Sequence, residues 1–181
     1  MKLQDTTSAA AHSKAKSLLV PSGAKSALEL VDRFRLHLID LNYAEVGPEW
    51  NSGGRLESDF LHHIELALSG HRQIVHDGKV IDLHPGNAWY LPGCTPVERR
   101  CREDCRLFYV TFRCEWLSGV DPLLDWPERR PINLGRWNND FFARLKISPA
   151  GPDVTTLMLL QLRILEWLVK KIPNLGEIIN A

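Results

Sequence analysis

His63 and Glu65 stand two residues apart in a segment, Phe60 to Ser69, that alternates loosely as a strand and stops at Gly70. A period of two puts both side chains on one side of that strand. In a concave site, an imidazole and a carboxylate placed this way hold a polar or charged small molecule through charge-assisted hydrogen bonds. The opposite side, Phe60, Ile64, Leu66 and Leu68, is the more apolar one. A competing reading therefore makes that side the interior and leaves His63 and Glu65 facing solvent or a neighbouring helix. Trp89, Tyr90 and Arg99 form a second group. An aromatic wall with an arginine is suited to a sugar or a carboxylate. Only one of Trp89 and Tyr90 can face inwards, since neighbours on a strand alternate, and that one also serves as ordinary core.

The four cysteines, Cys94, Cys101, Cys105 and Cys114, offer a different chemistry. Cys101 and Cys105 flank the turn Arg102-Glu103-Asp104, and the nearby Arg99, Arg100, Arg102 and Arg106 would lower thiol pKa values. A structural zinc site usually shows two Cys-x₂₋₄-Cys pairs, and only one such pair is present. His62, His71, His76 and His84 are scattered at strand ends and read as exposed hairpin residues. These residues supply no catalytic set, no metal site and no cofactor.

The elements that position these side chains are short. The apolar stretch Leu28 to Asn42 reads as a first strand, or a short helix running into one, before turns at Gly47-Pro48 and Asn51-Ser52-Gly53-Gly54. Strands follow at His71–His76 and Lys79–His84, joined by the Asp77-Gly78 hairpin signal. Ala88–Leu91 ends at Pro92-Gly93, and Thr95–Cys101 with Arg106–Trp116 make a further hairpin. Short strands broken by turns about every ten residues indicate a sandwich or barrel rather than a βαβ protein. Residues 117–152 read as irregular or short helical connections. After Pro152 the period changes: Leu157, Leu160, Ile164, Leu165, Leu168 and Ile172 fall on one helical stripe. Asp153 is the expected N-cap, and Pro173 with Gly176 ends the helix. Met158 and Leu159 widen its apolar surface, so the helix has two things to cover, its own barrel and a second copy. The residues assigned to dimerisation are Leu157, Leu160, Gln161, Ile164, Leu165 and Leu168.

Twenty-two basic residues balance 22 acidic ones in this chain of 181. That neutrality argues against this segment contacting DNA, which rewards a basic surplus. Residues 1–25 read as a flexible arm with no apolar core of signal-peptide length, and no stretch is long enough to span a membrane. A cytoplasmic protein with reduced cysteines follows.

The run from His63 to Cys101 resembles the cupin barrel. Fifteen residues separate Gly70 from Gly86, and Pro92 stands six after Gly86, which matches that family's glycine–proline spacing. The metal positions depart from it: His63 replaces the glutamate, Val97 the later histidine, and only Glu57 and Asp59 stand near the upstream His-x-His pair. The segment HHIELALSGHRQIVHDGKVIDLHPGNAWYLPG, with RLFYVTFRCEW after it, resembles the N-terminal sensor domain of AraC-type transcription regulators. The resemblance covers roughly residues 35–116 and, in character, the helix at 153–172. It implies a mainly β, cupin-like barrel followed by C-terminal α-helices, divided as arm 1–25, barrel 26–116, connection 117–152 and helix with linker 153–181. It further implies a non-catalytic effector sensor and homodimer, whose DNA contact lies in a helix-turn-helix domain beyond Ala181. The effector-binding candidates are His63, Glu65, Trp89, Tyr90 and Arg99, for a sugar or a carboxylate. A stand-alone metal-dependent cupin enzyme, an isomerase or dioxygenase, is the alternative.

Overall fold

The computed structural model describes residues 34–51, 60–116, 119–124, 126, 128–137 and 152–172. The arm at 1–25, Glu57 and Asp59, and the Pro173–Gly176 helix stop lie outside the described residues.

Eight strands and one helix are described: β1 (Phe34–Val46), β2 (His62–Ser69), β3 (Arg72–His76), β4 (Lys79–Leu83), β5 (Asn87–Leu91), β6 (Glu98–Cys101), β7 (Cys105–Trp116), β8 (Ile132–Arg136) and α1 (Val154–Lys171). They form a five-stranded sheet in the order β1-β7-β2-β5-β8 and a three-stranded sheet in the order β4-β3-β6. Turn chemistry sets several boundaries. Asp77 and Gly78 take φ of 49° and 73°, the two positive values that a two-residue type I′ hairpin requires between β3 and β4. Gly70 ends β2 at φ 82°, where a Cβ would fall 2.3 Å from the Asp104 carbonyl oxygen, so only glycine fits between β2 and the β6–β7 turn.

The period of two divides the five-stranded sheet into two working faces. One face, carrying Ile64, Leu66, Tyr90, Val110 and Phe112, packs against Leu160, Ile164 and Leu168 of α1. The other carries Ala67, Leu91 and Leu107 and meets Ile74, Leu83, Val97 and Cys101, which belong to the smaller sheet and the turn before β6. The described residues thus form two apolar cores, one between helix and sheet and one inside the barrel. The chain is mainly β, a cupin-like barrel of two facing sheets followed by a helix, which is the expected fold class.

One detail differs from the sequence reading. The connection at 117–152, read as irregular or short helical, contains β8, which pairs antiparallel with β5. Its pattern is weak because Gly135 interrupts five residues preceded by Pro131. The helix starts where expected: the Asp153 side chain accepts the Thr156 N–H at 2.9 Å, satisfying one of the donors a helix N-terminus leaves open. No helix of the described residues is long and apolar enough to cross a membrane.

Candidate functional site

Register determines which side chains enter the barrel. In the β2–β7 ladder His63 lies opposite Thr111, Glu65 opposite Tyr109 and Ala67 opposite Leu107. In the β1–β7 ladder Ala44 lies opposite Leu107 and Val46 opposite Cys105. Facing residues on antiparallel strands share a side, so His63, Glu65, Tyr109, Leu107, Ala44 and Val46 all point into the lumen. On the smaller sheet Arg72 and Arg99 alternate inwards with Ile74 and Cys101. Arg72, Arg99, the six side chains of the larger sheet and Trp50 line a cavity of about 310 Å³, at the small end of the roughly 300–1,000 Å³ range of ligand pockets.

A charged cluster closes one side of this cavity. Glu65 is 5% exposed, Arg72 and Arg99 2% each. Arg72 donates from Nε to Glu65 Oε2 at 3.0 Å, and its Nη2 lies 2.9 Å from the same oxygen. Arg99 donates from Nε to Glu65 Oε1. One carboxylate of the large sheet therefore binds two guanidiniums of the small one. Burial pushes the Glu65 carboxyl upward, but Arg72 and Arg99 outweigh it and hold it at about 2. The Arg72 guanidinium also sits 4.5 Å from the Trp50 ring centroid, a cation–π contact. His63 hydrogen-bonds through Nδ1 with the Thr111 hydroxyl at 3.1 Å. Burial and the charge of Arg99 lower its pKa to about 4, so its imidazole is neutral at pH 7.

The structure brings His63, Glu65 and Arg99 together, on the lumen side rather than towards solvent or the helix. Trp89 shares Glu65's face as its β5 partner and packs against the lumen core. Its Nε1 is buried with no hydrogen-bond partner among the described residues. Tyr90 points the other way, fully buried in the helix-side core, and does not line the cavity. Arg72 and Trp50 are additions. The alternation of Arg72 with Ile74 was the available signal for the arginine, whereas Trp50 follows an irregular turn that carries no period.

Reading His62 as an exposed hairpin residue is also corrected. It is fully buried on the helix side of β2. Its Nδ1 accepts the Gly93 N–H at 2.9 Å and lies 2.9 Å from the Tyr90 hydroxyl, while Nε2 lies 3.0 Å from Asp121 Oδ2. Asp121 in turn accepts the backbone N–H groups of Cys114 and Leu123. The network pins the segment after β7 onto the sheet.

Three of the four cysteines belong to the two cores, and Cys94 is half-buried outside them. Cys114 belongs to the helix side, Cys101 and Cys105 to the lumen side. Burial, with Cys101 beside it, raises Cys105 to about 11, the reverse of the activation expected from the arginine-rich turn. As for the dimerisation residues, Leu160, Ile164 and Leu168 are fully buried against this chain's own sheet, and Gln161 donates to the Leu36 carbonyl at 3.1 Å. The exposed apolar residues of α1 are Val154, Met158, Leu159, Leu162 and Val169.

Among the described residues no three His, Cys, Asp or Glu side chains converge to hold a metal. Glu65, the best placed carboxylate, is committed to two cations that would repel a third.

No family model and no curated protein matches the chain. Among solved structures, the chain is similar to a cupin 2 conserved barrel domain protein from Salinispora arenicola, at 20% identity and a TM-score of 0.36, over 43% of this chain and 74% of that one. It is similar to the cupin-2 domain of an XRE-family transcriptional regulator from Enterobacter cloacae, at 13% identity and a TM-score of 0.34, over 45% and 96%. It is also similar to salicylate 1,2-dioxygenase from Pseudoaminobacter salicylatoxidans, at 10% identity and a TM-score of 0.36, over 52% of this chain and 37% of that one.

Proposed function

We propose that this chain is the non-catalytic, small-molecule-sensing and dimerising part of an AraC-type transcription regulator. An effector enters the barrel lumen between the two sheets, a second copy pairs with the exposed side of α1, and DNA is contacted by a helix-turn-helix domain of the full regulator. The observation that carries the reading is the cavity of about 310 Å³ walled by the buried Glu65–Arg72–Arg99 cluster. A fixed polar group beside apolar wall residues is what orients a small ligand. Because the cluster ties one sheet to the other, a ligand that favours one arrangement of the two arginines shifts the balance between barrel states.

The alternative, a metal-dependent cupin enzyme, needs about three good ligands, and the described residues supply no such set. Native mass spectrometry of the purified chain tests the choice. A metal-free dimer, with or without a bound organic mass, is the expected result. A monomer carrying stoichiometric iron, manganese or zinc overturns the sensor reading in favour of the enzyme.

A further inference from the structure

Cys101 ends β6 of the smaller sheet and Cys105 begins β7 of the larger one, so the turn between them joins the two sheets. Packing around that turn holds the cysteines together. Cys101 pairs in register with Arg72, and Arg72 Nη1 donates to its Sγ at 3.8 Å. Two residues before Arg72, Gly70 packs against Cys105 so closely that a Cβ there would fall 2.8 Å from both its Cα and its Sγ. The Arg102 N–H donates to the His71 carbonyl at 2.9 Å, tying the turn to the same short segment. Both thiols are buried in the lumen-side core, Cys101 at 7% exposure and Cys105 at 1%. Neither is among the described residues lining the lumen cavity. We propose that Cys101 and Cys105 form a redox-active dithiol, which a small hydroperoxide converts to a disulfide that staples one sheet to the other.

The two thiols are in hydrogen-bond contact, so a bond of about 2.05 Å needs only small movements of the two side chains. Burial and the adjacent Cys101 push the Cys105 thiol up to about 11, and its S–H donates to the Glu103 carbonyl at 3.1 Å. It therefore stays protonated at neutral pH, whereas attack on a peroxide needs a thiolate beside a positive group. Cys101, whose sulfur accepts an N–H of the Arg72 guanidinium, has that neighbour and reacts first. Its sulfur bonds to one oxygen of hydrogen peroxide, the O–O bond breaks, and the thiol proton leaves with the displaced oxygen as water. The product is a sulfenic acid, which condenses with a nearby thiol. Cys105 attacks its sulfur, the S–S bond forms, the S–O bond breaks, and the expelled hydroxide takes the Cys105 proton. Two thiols and one peroxide give one disulfide and two waters, with two electrons passing from sulfur to peroxide. An open hollow of about 430 Å³, bordered by Glu49, Ser69 and Asp104, reaches Cys105. Because the thiols touch, an oxidant entering there is also beside Cys101.

The test treats the reduced full chain with a small molar excess of hydrogen peroxide. Remaining thiols are blocked with N-ethylmaleimide in denaturant, and the product is mapped by tryptic mass spectrometry. Trypsin cuts after Arg102, so the bond is read as a linked pair of peptides, 101–102 with 103–106. Of the four thiols, Cys94 and Cys114 should remain and be blocked, Cys101 and Cys105 should be joined, and dithiothreitol should restore all four. Cys94→Ser should form the same bond. Cys105→Ser should lose the disulfide and leave a sulfenic acid on Cys101 that dimedone captures, and Cys101→Ser should leave Cys105 reduced. The linkage map of the parent chain decides the proposal even where a serine variant does not fold. A bond to Cys94 or Cys114, or between two copies of the chain, overturns it. Four unmodified thiols in the folded chain, under conditions that oxidise the urea-unfolded chain, overturn it as well. Dimedone on Cys105 in Cys101→Ser overturns the order of the two steps.

Discussion

Glu65 on the five-stranded sheet and Arg99 on the three-stranded sheet meet across the barrel lumen, joined by a buried hydrogen bond from Arg99 Nε to Glu65 Oε1. Arg72 makes the second arm of the same tie. The net worth of such a buried ion pair is small, because desolvation offsets most of the attraction. Removing one partner is another matter, since it strands a charge where water cannot reach it. The contact that closes the barrel is thus also the one that sets the polarity of its hollow.

Glu65→Ala takes from Arg72 and Arg99 the carboxylate that they share in a buried site. It should destabilise the fold by about 3–5 kcal/mol, the usual cost of breaking a buried pair from one side. Urea unfolding followed by tryptophan fluorescence gives this directly. A loss under 1 kcal/mol would show that water reaches the cluster.

Acid should weaken the protein in two steps. The His63 pKa is lowered from 6.5 to about 4, so between those values the unfolded chain takes up a proton that the folded chain refuses, and stability falls as pH drops. Glu65, lowered from 4.5 to about 2, adds a loss of the same sign at lower pH. His63→Asn removes the first step alone, so the variant's urea midpoint should change less than the parent's between pH 6.5 and 4.5. Parallel curves for the two proteins would mean that His63 protonates freely in the folded state.

The buried His62 network makes a prediction on the other side of the sheet. His62→Phe keeps an aromatic ring but takes their imidazole partner from the Gly93 N–H and the Tyr90 hydroxyl in the core, while Asp121 keeps the Cys114 and Leu123 N–H groups. Each stranded polar group costs about 1–3 kcal/mol, so a total loss of at least about 2 kcal/mol is expected in the same unfolding assay. A near-neutral effect would mean that these groups find other partners.

What the sequence displays is the periodic part of the architecture. Two-residue alternation is enough to group His63 with Glu65, and Asp77-Gly78 announces its hairpin from chain chemistry alone. Alternation does not say which side of a strand faces which neighbour. When both sides are buried, as in β2 between a helix and a second sheet, both carry apolar and polar residues and the pattern loses its inside–outside meaning. That is why alternation alone leaves Tyr90 and Trp89 inseparable and makes His62 read as exposed. Alternation puts Arg72 on the Ile74 side of β3, but its meeting with Arg99 comes through pairing of β3 with β6, a relation between separate segments that no local pattern encodes.

The helix shows the same ambiguity, and resolving it gives the last prediction. An 18-residue helix with apolar residues on more than one side has two surfaces to cover. Leu160, Ile164 and Leu168 are buried on this chain's own sheet, so they are stability residues, and Ile164→Ala should cost about 2–5 kcal/mol. Val154, Met158, Leu162 and Val169 remain exposed, at 72%, 58%, 55% and 44%. Met158, Leu162 and Val169 recur at intervals of four and seven, which suits a self-complementary helix pair across a two-fold axis. Met158→Glu with Leu162→Glu should therefore leave the urea midpoint of the isolated fold nearly unchanged while turning a dimer into a monomer in sedimentation equilibrium. If the double variant stays dimeric, the dimer is built elsewhere on the barrel. If the parent chain is itself monomeric at micromolar concentration, the second surface of the helix does not serve self-association, and the dimeric part of the sensor proposal falls.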